Sequence, residues 1–125
     1  MTHWAIDLIG KPWRENATGP DAFNCRGMVD SACRMLFDEP LPSPETVHAS
    51  RWRRVDGPPR EHDVVVMNGP NGKHIGIMVQ ANRMLGLLHC DGYQSKTGPV
   101  GGVRFQPLAD AAHGGYHEFD FWRRA

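Results

Sequence analysis

The sequence predicts a single α+β domain over residues 1–125, and three observations carry that expectation. The 125 residues suit one domain and leave little room for a second. Between Asn24 and Phe37 apolar residues recur at helical spacing, whereas from Asp63 onward short apolar and β-branched runs alternate with turn signals. Helices first and antiparallel strands afterwards is the α+β arrangement. A chain of this length buries roughly two-thirds of the surface its unfolded form exposes, enough for a core without staples.

The elements follow in order. His3 to Ile9 is short and apolar-rich and stops at Gly10-Lys11-Pro12, which suits one or two helical turns. A polar loop from Arg14 to Asp21 carries the turn signal Gly19-Pro20. The clearest helix spans about Asn24 to Phe37, because Met28, Val29, Ala32, Cys33, Leu36 and Phe37 fall on one face. Asp21 or Asn24 is placed to cap it, and Pro40 prevents continuation. A proline-rich loop and a short helix from Pro44 to Arg51 come next. Val64 to Met67 is then a strand, followed by the turn Asn68 to Gly72. His74 to Gln80 alternates, with Ile75, Ile77 and Val79 on one face and His74, Gly76 and Met78 on the other. After a turn at Ala81 to Arg83, Met84 to His89 forms the next strand. A glycine-rich stretch (Gly98 to Gly102) precedes two more, Val103 to Phe105 and Glu118 to Trp122.

Composition excludes several functions. Fourteen basic and fourteen acidic residues cancel, so no electrostatic drive toward nucleic acid or an anionic membrane is expected. The local exception, Arg51-Trp52-Arg53-Arg54, reads as a solvated loop with one anchoring Trp. No apolar run approaches a membrane span, and Met1 to Trp4 lacks the basic and apolar regions of a signal peptide, so synthesis in the cytoplasm is expected. Three cysteines without regular spacing argue against a disulfide framework and against a zinc site. Cys25 and Cys33 on one helix lie roughly 12 Å apart along its axis, beyond the reach of about 7 Å that a disulfide allows.

The chemistry concentrates at Cys25. A helix amino terminus presents unpaired N–H groups and a partial positive charge, which favour a thiolate and can receive a developing oxyanion. Such a cysteine needs a base, and the base needs a third group to hold its tautomer. His74 and His89 come out at the same end of the hairpin that turns near Asn82, eight residues before it and seven after. Cys25, His74 and His89 are therefore a candidate Cys–His–His triad. Cys33 reads as a core residue, and Cys90 as a core or edge residue facing away from His89. His113 and His117, around Gly114-Gly115-Tyr116, read as loop residues, and Trp4, Trp13, Trp52 and Trp122 as packing residues, with Trp13 placed to line the groove.

Two blocks of sequence carry a likeness. Gly10-Lys11-Pro12-Trp13 with Thr18-Gly19-Pro20-Asp21-Ala22-Phe23-Asn24-Cys25-Arg26-Gly27-Met28-Val29 resembles the nucleophile region of the NlpC-like cell-wall cysteine peptidases, and of their phage-tail branch in particular. His74-Ile75-Gly76-Ile77-Met78-Val79 resembles that family's histidine strand, and Leu87-Leu88-His89 the strand that ends in its third polar residue. The likeness spans roughly Ile9 to His89.

The resemblance implies a papain-like fold, its cysteine helix packed on a small antiparallel sheet of about five or six strands. It implies hydrolysis of amide bonds in peptidoglycan stem peptides, typically γ-D-glutamyl to diamino-acid linkages, without metal or cofactor. Cys25 would be the nucleophile, His74 the base and then acid, and His89 the orienting group, with Asp91 in reserve. Action on the cell wall, as part of a phage tail, and tail proteins as partners follow from the same likeness. Departures bear on the groove. Trp13 stands where the family has Tyr, Arg14 to Ala17 replace a Trp-Gly-Gly, Asn24 stands for Asp and Arg26 for Ser. Arg26 is either a substrate-binding residue, meeting a carboxylate, or a solvated arginine on the first helical turn. Two rival functions stay open: a structural tail protein that has lost turnover, and an amidase or acyltransferase with another substrate.

Overall fold

In the computed structural model, which describes Trp4 to Ala125, the main helix begins one residue after Asn24. Asn24 is extended (φ −94°, ψ 179°), and its side-chain oxygen accepts the Gly27 N–H at 2.6 Å. That capping bond satisfies one donor the first turn cannot pair internally. Helix α1 runs Cys25–Phe37 and ends where Asp38 turns left-handed (φ 56°), its N–H on the Arg34 carbonyl. The stop therefore comes from a local cap, two residues ahead of Pro40. Met28, Val29, Ala32 and Cys33 on its inner face are fully buried.

The shorter helical pieces differ from expectation. The amino-terminal segment is a 3₁₀ turn, Trp4–Asp7; His3, and the Met1 to His3 stretch used for the signal-peptide expectation, lie outside the described residues. The helix expected over Pro44 to Arg51 is only a 3₁₀ turn, Val47–Ala49, which starts without a side-chain cap and ends with the Ser50 hydroxyl on the Val47 carbonyl. A second helix, α2 (Leu108–His113), had no expectation behind it; six residues are too few for a helical period to register.

Six strands form one antiparallel sheet: β1 (Trp52–Val55), β2 (Val64–Gly69), β3 (Gly72–Ala81), β4 (Met84–Ser95), β5 (Gly98–Gln106) and β6 (His117–Arg124). Their spatial order is β1-β6-β2-β3-β4-β5, so the last strand of the chain lies between the first two. With α1 this makes an α+β fold with few helices. One face of the sheet packs Val64, Ile77, Val79, Leu88, Cys90 and Val103 with the buried side of α1. The other packs Val65, Met67, Met78 and Leu87 with Ala111 and Tyr116. Burial on both faces explains why β2 reads as an unbroken apolar run. Each fully buried aliphatic side chain contributes about 1.5–3 kcal/mol.

One segment read as a loop, and one glycine-rich stretch given no element, are strands. Arg51 to Arg54 largely becomes β1: Trp52 is buried beneath it, Arg54 pairs with Asp120 at 2.8 Å, and the alternation was masked by three arginines on four positions. The glycine-rich stretch becomes the first half of β5, paired with Asp91 to Ser95, which lengthens β4 well beyond His89. Glycine is needed there because another chain segment lies against it. A Cβ on Gly102 would sit 2.7 Å from the Lys11 carbonyl oxygen, and Pro12 bridges to Gly102. That contact anchors the Trp13 loop beside α1. A buried ion pair locks the far side, where Asp63 accepts two bonds from Arg123 at 2.8 and 2.7 Å and a third from the Arg60 N–H. No helix among the described residues is long and apolar enough to cross a membrane.

Candidate active site

Cys25 occupies the first position of α1 because Asn24 caps the helix there. Gly27 N–H goes to the Asn24 side chain and Met28 N–H to its carbonyl, whereas the amides of Cys25 and Arg26 have no hydrogen-bond acceptor among the described residues. Two donors thus remain free beside the thiol.

The histidines come from one hairpin. Asn82 and Arg83 both adopt positive φ (50° and 64°), a two-residue turn of the kind that matches strand twist. It pairs Ala81 with Met84, which sets Gly76 opposite His89. His89 is therefore diagonal to His74 on the same face, two residues from the position opposite it. Gly76 makes the diagonal contact possible. A Cβ there would meet the His89 Cβ at 3.1 Å and Leu87 Cδ1 at 2.6 Å, so only glycine leaves His89 room to cross.

His74 Nε2 and His89 Nδ1 are 2.8 Å apart, and His89 Nε2 lies 2.6 Å from the Gln106 side-chain oxygen. A carbonyl oxygen only accepts, so with Gln106 in this orientation His89 carries its proton on Nε2 and presents a bare Nδ1. His74 then donates from Nε2, and its own Nδ1 keeps a free lone pair. Nδ1 makes no hydrogen bond, yet every buried side-chain nitrogen and oxygen among the described residues has a partner, so Nδ1 is reached by solvent. His74 lines a cavity of about 220 Å³ shared with Cys25, Trp13, Asn24, Lys73, Asp91 and Tyr116. Burial, and then the neighbouring His89, push the His74 imidazole well below its ordinary range. Burial lowers His89 as well, against the opposing effect of its hydrogen bond to Gln106. Both rings are held neutral near pH 7.

The cavity unites Cys25 and His74, but Cys25 Sγ makes no hydrogen bond to the imidazole in this state, so contact needs rotation of the thiol or an arriving substrate. His89 is fully buried and bonds His74 from the side away from Cys90. Asp91 is engaged elsewhere, taking Arg104 at 2.6 Å and the Tyr116 hydroxyl at 3.1 Å. Trp13 lies on the cavity wall, against Gly92. Arg26 does not line this cavity; it donates to the Pro42 carbonyl at 2.7 Å and borders a separate apolar groove of about 390 Å³. Cys33 and Cys90 are fully buried, and burial pushes each thiol up to about 12. Cys90 donates to the Phe23 carbonyl. His113 closes α2, His117 opens β6, and no group of metal-ligating side chains exists among the described residues.

Sequence reasoning missed Gln106 and Tyr116. Gln106 had no distinguishing signal at the end of its strand. Tyr116, a lone aromatic after Gly114-Gly115 in a polar stretch, carried a weak one.

The chain matches no protein-family model, and no curated protein matches it.

Proposed function

We propose that this chain is a metal-independent cysteine hydrolase of papain-like architecture that cleaves amide bonds in peptidoglycan stem peptides, of the γ-D-glutamyl to diamino-acid type. The observation that carries the reading is the run of hydrogen bonds from Gln106 through His89 to His74. It leaves His74, which lines the cavity that Cys25 shares, with an unbonded Nδ1 lone pair. Cys25 Sγ attacks the amide carbon while its proton passes to His74 Nδ1. The oxygen gains negative charge within reach of the free amides of Cys25 and Arg26. Collapse breaks the C–N bond, the proton on His74 goes to the leaving amine, and a thioester remains on Cys25. His74 then takes a proton from water, the hydroxide attacks the thioester, and the acid product and the thiol are released. His89 and Gln106 supply dipoles, not charge, to the imidazolium that forms twice in this cycle.

The substrate class, cell-wall action and attachment to a phage tail rest on the sequence likeness at Gly10 to Trp13, Thr18 to Val29 and His74 to His89. Incubation of the protein and of Cys25→Ala with purified stem peptides, followed by mass spectrometry, tests the reading. Wild type is expected to yield two fragments summing to substrate plus water, and Cys25→Ala none. A product extended by an acceptor other than water would indicate an acyltransferase. A second reading, a structural protein without turnover, is motivated by the missing bond between Cys25 and His74; a correctly folded wild type that cleaves no peptidoglycan fragment would favour it.

A further inference from the structure

We propose that Tyr116, tethered by Asp91, is a positioning residue that holds the His74 imidazole with Nε2 on His89 and Nδ1 toward the Cys25 cavity. The inference rests on the cysteine-hydrolase reading and adds a brace outside the Cys–His–His line.

The Tyr116 ring lies 4.8 Å from His74, tilted by 36°, and 5.4 Å from His89, nearly edge-on at 84°. The two imidazoles are themselves 5.0 Å apart at 80°, so three rings close around the Nε2–Nδ1 bond. Tyr116 is 7% exposed, and its backbone N–H is fixed to the Ala111 carbonyl at the end of α2. Gly69 backs it from β2: a Cβ there would stand 2.5 Å from Tyr116 Cε1. The ring is wedged between a strand backbone and His74, and its hydroxyl donates to Asp91 Oδ2, which Arg104 pins from the next strand. A His74 that swung about χ1 or χ2 would have to push through this wedge. Rotation would put the Nε2 proton into the cavity and leave Nδ1 unable to accept from the thiol. The titratable and charged groups facing the pair are Asp91 on β4, Arg104 on β5, Lys73 on β3, Tyr116 itself, and Cys25 and Glu15 across the cavity.

Three variants separate the parts of the brace. Tyr116→Leu removes the ring, Tyr116→Phe removes only the tether, and Gly69→Ala drives the ring onto His74. Two readouts are used: kcat and KM on a stem peptide, and the imidazole ¹⁵N resonances of His74 and His89 against pH, which need no substrate. Tyr116→Leu should lower kcat about 100-fold, the order that a misplacement of about 1 Å costs, with KM nearly unchanged. Its His74 resonance should titrate closer to an ordinary imidazole and show both tautomers. Tyr116→Phe should fall between wild type and Tyr116→Leu, and it carries the test if the leucine variant does not fold. Gly69→Ala should lower kcat without altering which strands form. Folded variants whose kcat and histidine titrations match wild type would overturn the proposal, as would a loss confined to KM. If wild type cleaves nothing but the Tyr116 variants still release His74 in the NMR titration, the brace stands and only the hydrolase reading fails.

Discussion

Replacement of Gln106 by leucine tests the hydrogen-bond run where it is least visible from the cavity. His89 is fully buried, so deleting the Gln106 oxygen leaves its Nε2–H without its acceptor. A buried donor left unpaired costs about 1–3 kcal/mol. Unfolding entropy of about 2.1 cal/mol/K per residue converts this, over 125 residues, into about 4 °C per kcal/mol. Gln106→Leu should therefore lower Tm by about 4–12 °C, read by calorimetry. The second consequence is chemical. Without the oxygen, His89 is free to move its proton to Nδ1, which forces His74 to turn its lone pair inward and its proton toward the thiol. If the lost bond had favoured the working tautomer by about 1 kcal/mol, kcat should fall by up to about fivefold. Gln106→Glu keeps an acceptor in place and adds negative charge, which favours the protonated imidazoles. Its activity should survive at pH 8 while the acid side of its pH profile moves to higher pH. A Gln106→Leu protein with Tm within about 1 °C of wild type and an unaltered pH profile would refute the reasoning, because the free-energy difference would then lie below the range for a buried donor.

Three other outcomes are expected. Cys25 is partly exposed whereas Cys33 and Cys90 are fully buried with thiols pushed up to about 12, so iodoacetamide at pH 8 should modify one thiol per native chain and all three after unfolding. Labelling of Cys33 or Cys90 in native protein, followed by peptide mapping, would contradict this. Arg123→Met strands the buried Asp63 carboxylate and should cost about 3–5 kcal/mol in urea denaturation, with a loss under about 1 kcal/mol showing that the pair is idle. Burial holds His74 and His89 below the ordinary value of 6.5, so as pH falls past about 6.5 the unfolded chain gains protons that the folded one does not. Stability should be full above that pH and drop below it by up to about 1.4 kcal/mol per pH unit for each imidazole, and a urea midpoint that stays level from pH 7 to 5 would argue against neutral rings.

The sequence by itself determined the elements whose signals are local. The helix over Cys25 to Phe37 was legible because its apolar period is set by the chain's own geometry, and Asn24 caps it through a bond spanning three residues. The strands after Asp63 were legible for the same reason, and counting from Asn82 brought His74 and His89 to one end of a hairpin. Only the tertiary structure decided what lies across from what. The two-residue turn offset the histidines diagonally, and the missing side chain at Gly76 turned that offset into a hydrogen bond. Arg51 to Arg54 looked like a loop and Gly98 to Gly102 carried no strand signal, because nothing within them reports the neighbouring strand that pairs with their backbones. Gln106 and Tyr116 reach the imidazoles from β5 and from the approach to β6, 17 residues beyond His89 in one case and 42 beyond His74 in the other. Backbone pairing and side-chain packing across that separation depend on sheet order, and sheet order is a property of the folded chain as a whole.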